Sequence, residues 1–175
     1  ASRFDIEKLS WVNHQHMLSS DLGRLATSIS PYLPRSVSKT DSRLKRILEL
    51  QRERSKNLVD LAEATKYFFH APDEYQANHS RKFLTEKTKP ILEQIMEELE
   101  NLSHWTIELL EGAIAKVCED RGLGMGRVAQ PLRVALTGST ASPSIGETLF
   151  LIGREGVIQR LVEALRFIDA GTEAN

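Results

Sequence analysis

The chain holds a single cysteine, Cys118. An internal disulfide framework and a multi-cysteine metal cluster are therefore excluded, and a reducing compartment, the cytoplasm by default, is the simpler expectation. No stretch approaches about 18 uninterrupted apolar residues. The opening Ala1-Ser2-Arg3-Phe4-Asp5 carries no hydrophobic run followed by a small-residue cleavage site, so neither a membrane span nor a secretion signal is expected. Extended period-2 alternation is also missing. Nor does one sign of charge dominate: 23 Lys plus Arg against 24 Asp plus Glu leave a formal net charge of -1. That balance argues against a tail coating nucleic acid indiscriminately, but a binding surface is a local matter.

What is present is globular in composition, with 41% hydrophobic and 27% charged residues in 175, enough for one ordinary domain or two small ones. Glycine and proline are absent between Ser36 and Ala71, between Asp73 and Lys89, and between Ile91 and Glu111, which leaves room for helices. In and just beyond those windows apolar residues recur at helical spacing: Leu44, Ile47 and Leu48; Leu58, Leu61 and Ala62; Ile91, Leu92, Ile95, Met96 and Leu99; Ile107, Leu110, Ile114 and Val117. Val134-Ala135-Leu136 and Leu149-Phe150-Leu151-Ile152 fit short strands or buried helix equally well. The reading is all-α. Thr40 or Asp41, Ser103 and Ser144 are the expected N-caps, Pro90 fits a first turn after Thr88, and Gly122 and Gly153 punctuate. A last helix carries Ile158, Leu161, Val162, Leu165 and Ile168, and Gly171 to Asn175 are expected to fray. Pro31, Pro34 and residues 35–40 form one linker and Ala71 to Asn78 another. With a softer boundary near Leu102, the expected division is 1–35, 36–102 and 103–175.

Charge is uneven along the chain. Between Arg43 and Lys56 stand Arg43, Lys45, Arg46, Arg52, Arg54 and Lys56 against Glu49 and Glu53. On one continuous helix Arg43, Arg46 and Arg54 would share a side. The bland alternative is a solvated helix face. From Arg121 to Gly146 there is no Asp or Glu, while Arg121, Arg127 and Arg133 accompany a loop rich in Gly, Ser, Thr and Pro. Such a segment suits an acidic or nucleic-acid partner, because the planar guanidinium matches base edges and phosphates and small residues admit the backbone. A buried helix with a plain loop is the competing reading.

Other constellations carry little chemistry. Gly122-Leu123-Gly124-Met125-Gly126 follows a helix rather than a strand and reads as a helix C-cap, not a phosphate loop. His14 and His16 face about 200° apart on a helix and share no metal. His70, His79 and His104 lie in separate segments, Cys118 sits among apolar helix residues and reads as core, and Glu97, Glu98 and Glu100 read as a solvated face. His-Ile-Gly-His, Lys-Met-Ser-Lys-Ser and a Walker loop do not occur.

Two stretches together resemble one family. Phe4-Asp5-Ile6-Glu7-Lys8-Leu9-Ser10-Trp11-Val12-Asn13 is similar to the segment after the catalytic core of bacterial glutamyl-tRNA synthetases. Gly126-Arg127-Val128-Ala129-Gln130-Pro131-Leu132-Arg133-Val134-Ala135-Leu136-Thr137-Gly138, with Ser142-Pro143 and Leu151-Ile152-Gly153, resembles that family's C-terminal motif. Order and approximate spacing agree over nearly the whole chain. The resemblance implies two consecutive helical anticodon-binding subdomains preceded by a stem-contact segment, from an enzyme that joins glutamate to its transfer RNA with ATP and Mg²⁺. In that family the signature motifs lie upstream. This chain is thus expected to recognise tRNA(Glu) without catalytic residues, cofactor or metal of its own, and tRNA(Gln) too if the parent is non-discriminating. The parent is expected to be a monomeric cytoplasmic ligase.

Carried over by motif, Arg54 in Glu-Leu-x-Arg-x-Arg reads the third anticodon base, and Arg133 with Ser142, Pro143, Ser144 and Ile145 meets the unstacked anticodon. Lys8 and Trp11 match stem contacts, Trp11 alternatively being a buried anchor. Arg43, Arg46, Arg52 and Arg127 are supporting basic residues. Gly146 stands where the family more often has a bulky apolar residue, and His16-Met17 where it has an aromatic-aliphatic pair. The competing function is a helical protein-interaction adaptor with no RNA role.

Overall fold

The computed structural model describes residues 6–38 and 40–173. Phe4 and Asp5 of the N-terminal stretch, and Ala174 and Asn175 of the expected frayed tail, lie outside the described residues. Ten α-helices and no strand occur among them: α1 (Ile6–Ser19), α2 (Leu22–Ile29), α3 (Leu44–Arg52), α4 (Leu58–Lys66), α5 (Ala77–Phe83), α6 (Lys89–Glu100), α7 (Ile107–Arg121), α8 (Met125–Thr137), α9 (Ile145–Ile152) and α10 (Arg154–Glu173). A short 3-10 turn, Ser30–Tyr32, follows α2. Both stretches that fitted strand or helix are helical, in α8 and α9.

Local chemistry explains the boundaries. Pro90 falls in the first turn of α6 after Thr88. Gly122 closes α7 at φ 60°, a left-handed conformation that glycine adopts without penalty. Ser144 caps α9, its side chain accepting from the Glu147 N–H at 3.1 Å. Of the two residues expected before α3, Asp41 accepts from the Arg43 N–H at 2.8 Å. For α7 the cap is Thr106 rather than Ser103: its extended backbone lets Oγ1 accept from the Leu109 N–H at 3.4 Å. α10 runs through Gly171 to Glu173, past the expected start of fraying.

The chain divides into two compact units, residues 1–70 and 71–175. In the first, α2, α3 and α4 pack together with α1 against α3, around Met17, Leu25, Ile29, Leu44, Leu48 and Leu61. In the second, α6 packs on α7 and α10, α7 on α8 and α9, and α5 on α8. Its core holds the fully buried Leu92, Ile95, Leu99, Leu110, Ile114, Leu132 and Leu161. The compact units part after His70, where the segment Ala71 to Asn78 begins, and the apolar face of α6 is covered by helices that follow it.

Candidate nucleic-acid interface

In the first unit the basic window is not one helix. α3 ends at Arg52, a turn follows, and Asn57 caps α4 by accepting from the Val59 and Asp60 N–H groups, both at 2.9 Å. Arg54 and Lys56 therefore leave the helical face on which regular spacing would put them. The turn is fastened from behind. Ser55 is buried and its hydroxyl donates to Gln51 O at 2.9 Å, while the His14 ring Nδ1–H of α1 donates to Ser55 O at 2.8 Å. Gln51, also buried, gives its amide to Ala64 O at 3.1 Å and to the Tyr67 hydroxyl at 2.5 Å, tying α3 to α4. With its base held, the turn presents an exposed Arg54.

The neighbouring cations differ in their commitments. Arg46, Lys45 and Lys56 are exposed. Arg43 grips Asp41 with two N–H groups at 3.1 and 2.9 Å and lies 4.9 Å from the Phe69 ring centre. That guanidinium bond holds the Asp41 carboxyl below its ordinary value. Arg52 is half-buried and donates to Ser20 O at 3.3 Å, beyond the C-terminus of α1. Lys8 and Trp11 ride on α1 and are both exposed; at 63% exposure Trp11 is not a buried anchor.

The second unit brings Arg133 together with the loop after α8. One Arg133 Nη1 donates to Ser142 O at 3.2 Å, to Pro143 O at 2.6 Å and to the Ser142 hydroxyl. Thr148 of α9 donates to Ser144 O at 2.9 Å, and the Ser139 N–H donates to the Thr137 hydroxyl at 3.2 Å. Four side chains thus organise residues 139–144. Pro143 and Ile145 are buried in this arrangement, Ser144 is exposed, and Arg133 is half-buried. Sequence reasoning missed Thr137, Ser139 and Thr148; their hydroxyls flanking Gly138 and Pro143 were the available signal.

The glycine at 146 has a structural explanation. A Cβ there would meet Glu111 Cγ at 2.6 Å, so the Glu111 side chain of α7 occupies the space a bulkier residue would take. Arg127 is exposed, whereas Arg121 donates to Gln94 Oε1 at 2.5 Å and Pro90 O at 2.6 Å. Cys118, expected in the core, is only partly covered, though burial still pushes its thiol up. Glu98 pairs with Lys116 at 2.6 Å and is not simply solvated. Among the described residues no group of three His, Cys, Asp or Glu is placed to hold a metal, and no helix is long and apolar enough to cross a membrane.

The all-helical fold, with an exposed basic turn in one unit and an arginine-braced loop in the other, agrees with the anticodon binding domain family. Residues 24–165 match that family, and the chain belongs to it. It is similar to glutamate–tRNA ligase 2 of Halorhodospira halophila, 35% identical over 170 residues covering 96% of this chain and 36% of that protein. It is also similar to glutamate–tRNA ligase 1 of Alkalilimnicola ehrlichii, at 34% over 97% of this chain and 36% of the relative. The crystal structure of a glutamate tRNA ligase from Elizabethkingia meningosepticum superposes with a TM-score of 0.86 at 28% identity, covering 96% of this chain and 34% of that one. The chain spans about a third of the length of each relative.

Proposed function

We propose that this chain recognises the anticodon of tRNA(Glu) as the C-terminal part of a glutamate–tRNA ligase. The observation that carries the reading is the pair of coverages: almost all of this chain, but only 36% of the curated ligases, falls in the match. The parent joins glutamate to its transfer RNA with ATP and Mg²⁺ in a half outside these residues, and works as a cytoplasmic monomer. Arg54 reads the third anticodon base, and Arg46, Lys45 and Lys56 add phosphate attraction around it. Arg133 sets the loop whose exposed edge, Ser144 and its backbone, meets unstacked bases, with Arg127 nearby in sequence for the backbone. Arg43 and Arg52 hold protein groups, and their part is to shape the window. Lys8 and Trp11 lie against the transfer RNA stem.

Titrating the chain with tRNA(Glu) and tRNA(Gln) transcripts at several salt concentrations tests this. Binding that weakens steeply with salt is expected; no affinity for either at low salt would sink the reading. Arg54→Gln is expected to narrow the preference between the two, by about 1–3 kcal/mol if the contact is bidentate.

A further inference from the structure

The first unit contains a cleft of about 370 Å³ that the anticodon reading leaves unused, in the range of roughly 300–1,000 Å³ in which proteins hold small ligands. One wall is a face of α1, with Asn13, His16 and Met17 at helical spacing, continued by Ser20 just past its end. Asn57, Leu58 and Val59 at the start of α4 line it as well, and Leu25, Ser28 and Tyr32 complete it. Met17 and Leu25 are buried and supply apolar surface, while Tyr32 and Val59 stand 48% and 52% exposed.

The lining holds no Asp, Glu, Lys or Arg. An anion would find no cation inside, and an aliphatic group would strip water from the Asn13 amide, the His16 ring and the Ser28 and Tyr32 hydroxyls without replacing its hydrogen bonds. A neutral planar heterocycle with donors and acceptors on its edge satisfies both surfaces. Charge lies just outside: Arg52 donates to the carbonyl of Ser20, a lining residue, at 3.3 Å. The wall helix also carries the exposed Lys8.

We propose that this cleft takes one unstacked nucleobase of the bound RNA, from outside the anticodon triplet, with Tyr32 offering a ring for stacking and Arg52 holding the Ser20 wall in place. The proposal rests on the RNA-binding function above. Base–aromatic stacking of this kind is sequence-tolerant and strong enough to matter for affinity.

Two exposed positions test it in the full chain. Ser28→Leu fills the cleft from its rim and Tyr32→Ala removes the ring. Each is expected to weaken tRNA(Glu) binding about tenfold while leaving the tRNA(Glu) to tRNA(Gln) ratio unchanged. A benzoylphenylalanine photo-crosslinker at Val59 is expected to capture one nucleotide outside the anticodon, mapped by primer extension, and it reads the site even if a variant folds poorly. Wild-type binding that both variants match, or a Val59 probe that captures only the anticodon or nothing, overturns the cleft and leaves the anticodon reading standing. A wild-type chain that binds no transfer RNA overturns both.

Discussion

The two units use arginine differently. In the second, Arg133, Arg154 and Arg160 donate to main-chain carbonyls, while Arg81, Arg127 and Arg166 stay exposed. Arg154 donates to Leu99 O at 3.3 Å, Glu100 O at 3.2 Å and Leu102 O at 2.5 Å, at the C-terminus of α6. Arg160, only 4% exposed, donates to Leu136 O at 2.8 Å near the end of α8. Arg133 does the same for the loop that follows. The carbonyls of Leu99, Glu100 and Leu136 are among the acceptors a helix end leaves without a partner, and they carry the negative end of its dipole. In the first unit Arg24, Arg35, Arg46 and Arg54 are exposed, and the protein's own investment goes into the turn beneath Arg54. A count of basic residues therefore says little about binding capacity. The stretch from Arg121 is free of acids by sequence, yet two of its three arginines donate to protein groups.

Substitutions can break that contrast. The largest effect is expected from Arg160→Ala, which orphans Leu136 O in the core and costs about 3 kcal/mol in urea unfolding; Arg46→Ala should stay within about 0.5 kcal/mol. Equal costs would erase the distinction. Arg133→Ala releases Ser142 O and Pro143 O, for a loss of about 1–2 kcal/mol and faster amide exchange across residues 139–148. Arg54→Ala should leave exchange unchanged. His14→Ala frees the Ser55 carbonyl, at about 1 kcal/mol, and its effect on RNA binding should be non-additive with Arg54→Ala.

The smallest effects are in pH dependence, with opposite signs in the two units. Asp41 is held below the ordinary aspartate value by the hydrogen bond from Arg43. It adds stability above that value, and the gain is lost as pH falls through the lower folded value; Asp41→Asn should flatten this acid limb. Tyr75, packed edge-on to Phe167 at 4.9 Å, is pushed up to about 12 by burial and then by Glu163. The unfolded tyrosine ionises near 10 while the folded one keeps its proton, so its contribution falls as pH rises from 10 to 12. Burial draws Arg160 down to about 10, which acts the other way over that range. Comparing Tyr75→Phe with the parent chain isolates the tyrosine: the variant should lose less stability across this range.

Helix class, the Ser144 cap and the Gly122 stop were legible because they rest on local chemistry, whereas the caps Asp21, Asn57 and Thr106 were not read. α8 was harder: it contains Gly126 and Pro131, which break the rule that helices avoid both, and only burial shows that its core face holds it together. The division after His70 falls at the start of the linker read from Ala71 to Asn78; what the sequence does not show is that the apolar face of α6 serves the helices after it. The arginine-braced loop was legible as a segment but not in its geometry. Nothing in residue type says whether Arg133 faces a base or a carbonyl ten positions on. Gly146 was noticed as unusual, and only the position of Glu111 explains it.

The most direct measurement is the slope of log affinity for tRNA(Glu) and for tRNA(Gln) against log salt for the parent chain, Arg54→Ala and Arg133→Ala. If Arg54 reads a base while Arg133 holds its own loop, Arg54→Ala narrows the tRNA(Glu) over tRNA(Gln) preference at every salt concentration, by about 1–3 kcal/mol, and Arg133→Ala weakens binding with the slope unchanged. The reverse pattern, or a preference indifferent to Arg54, would contradict the account.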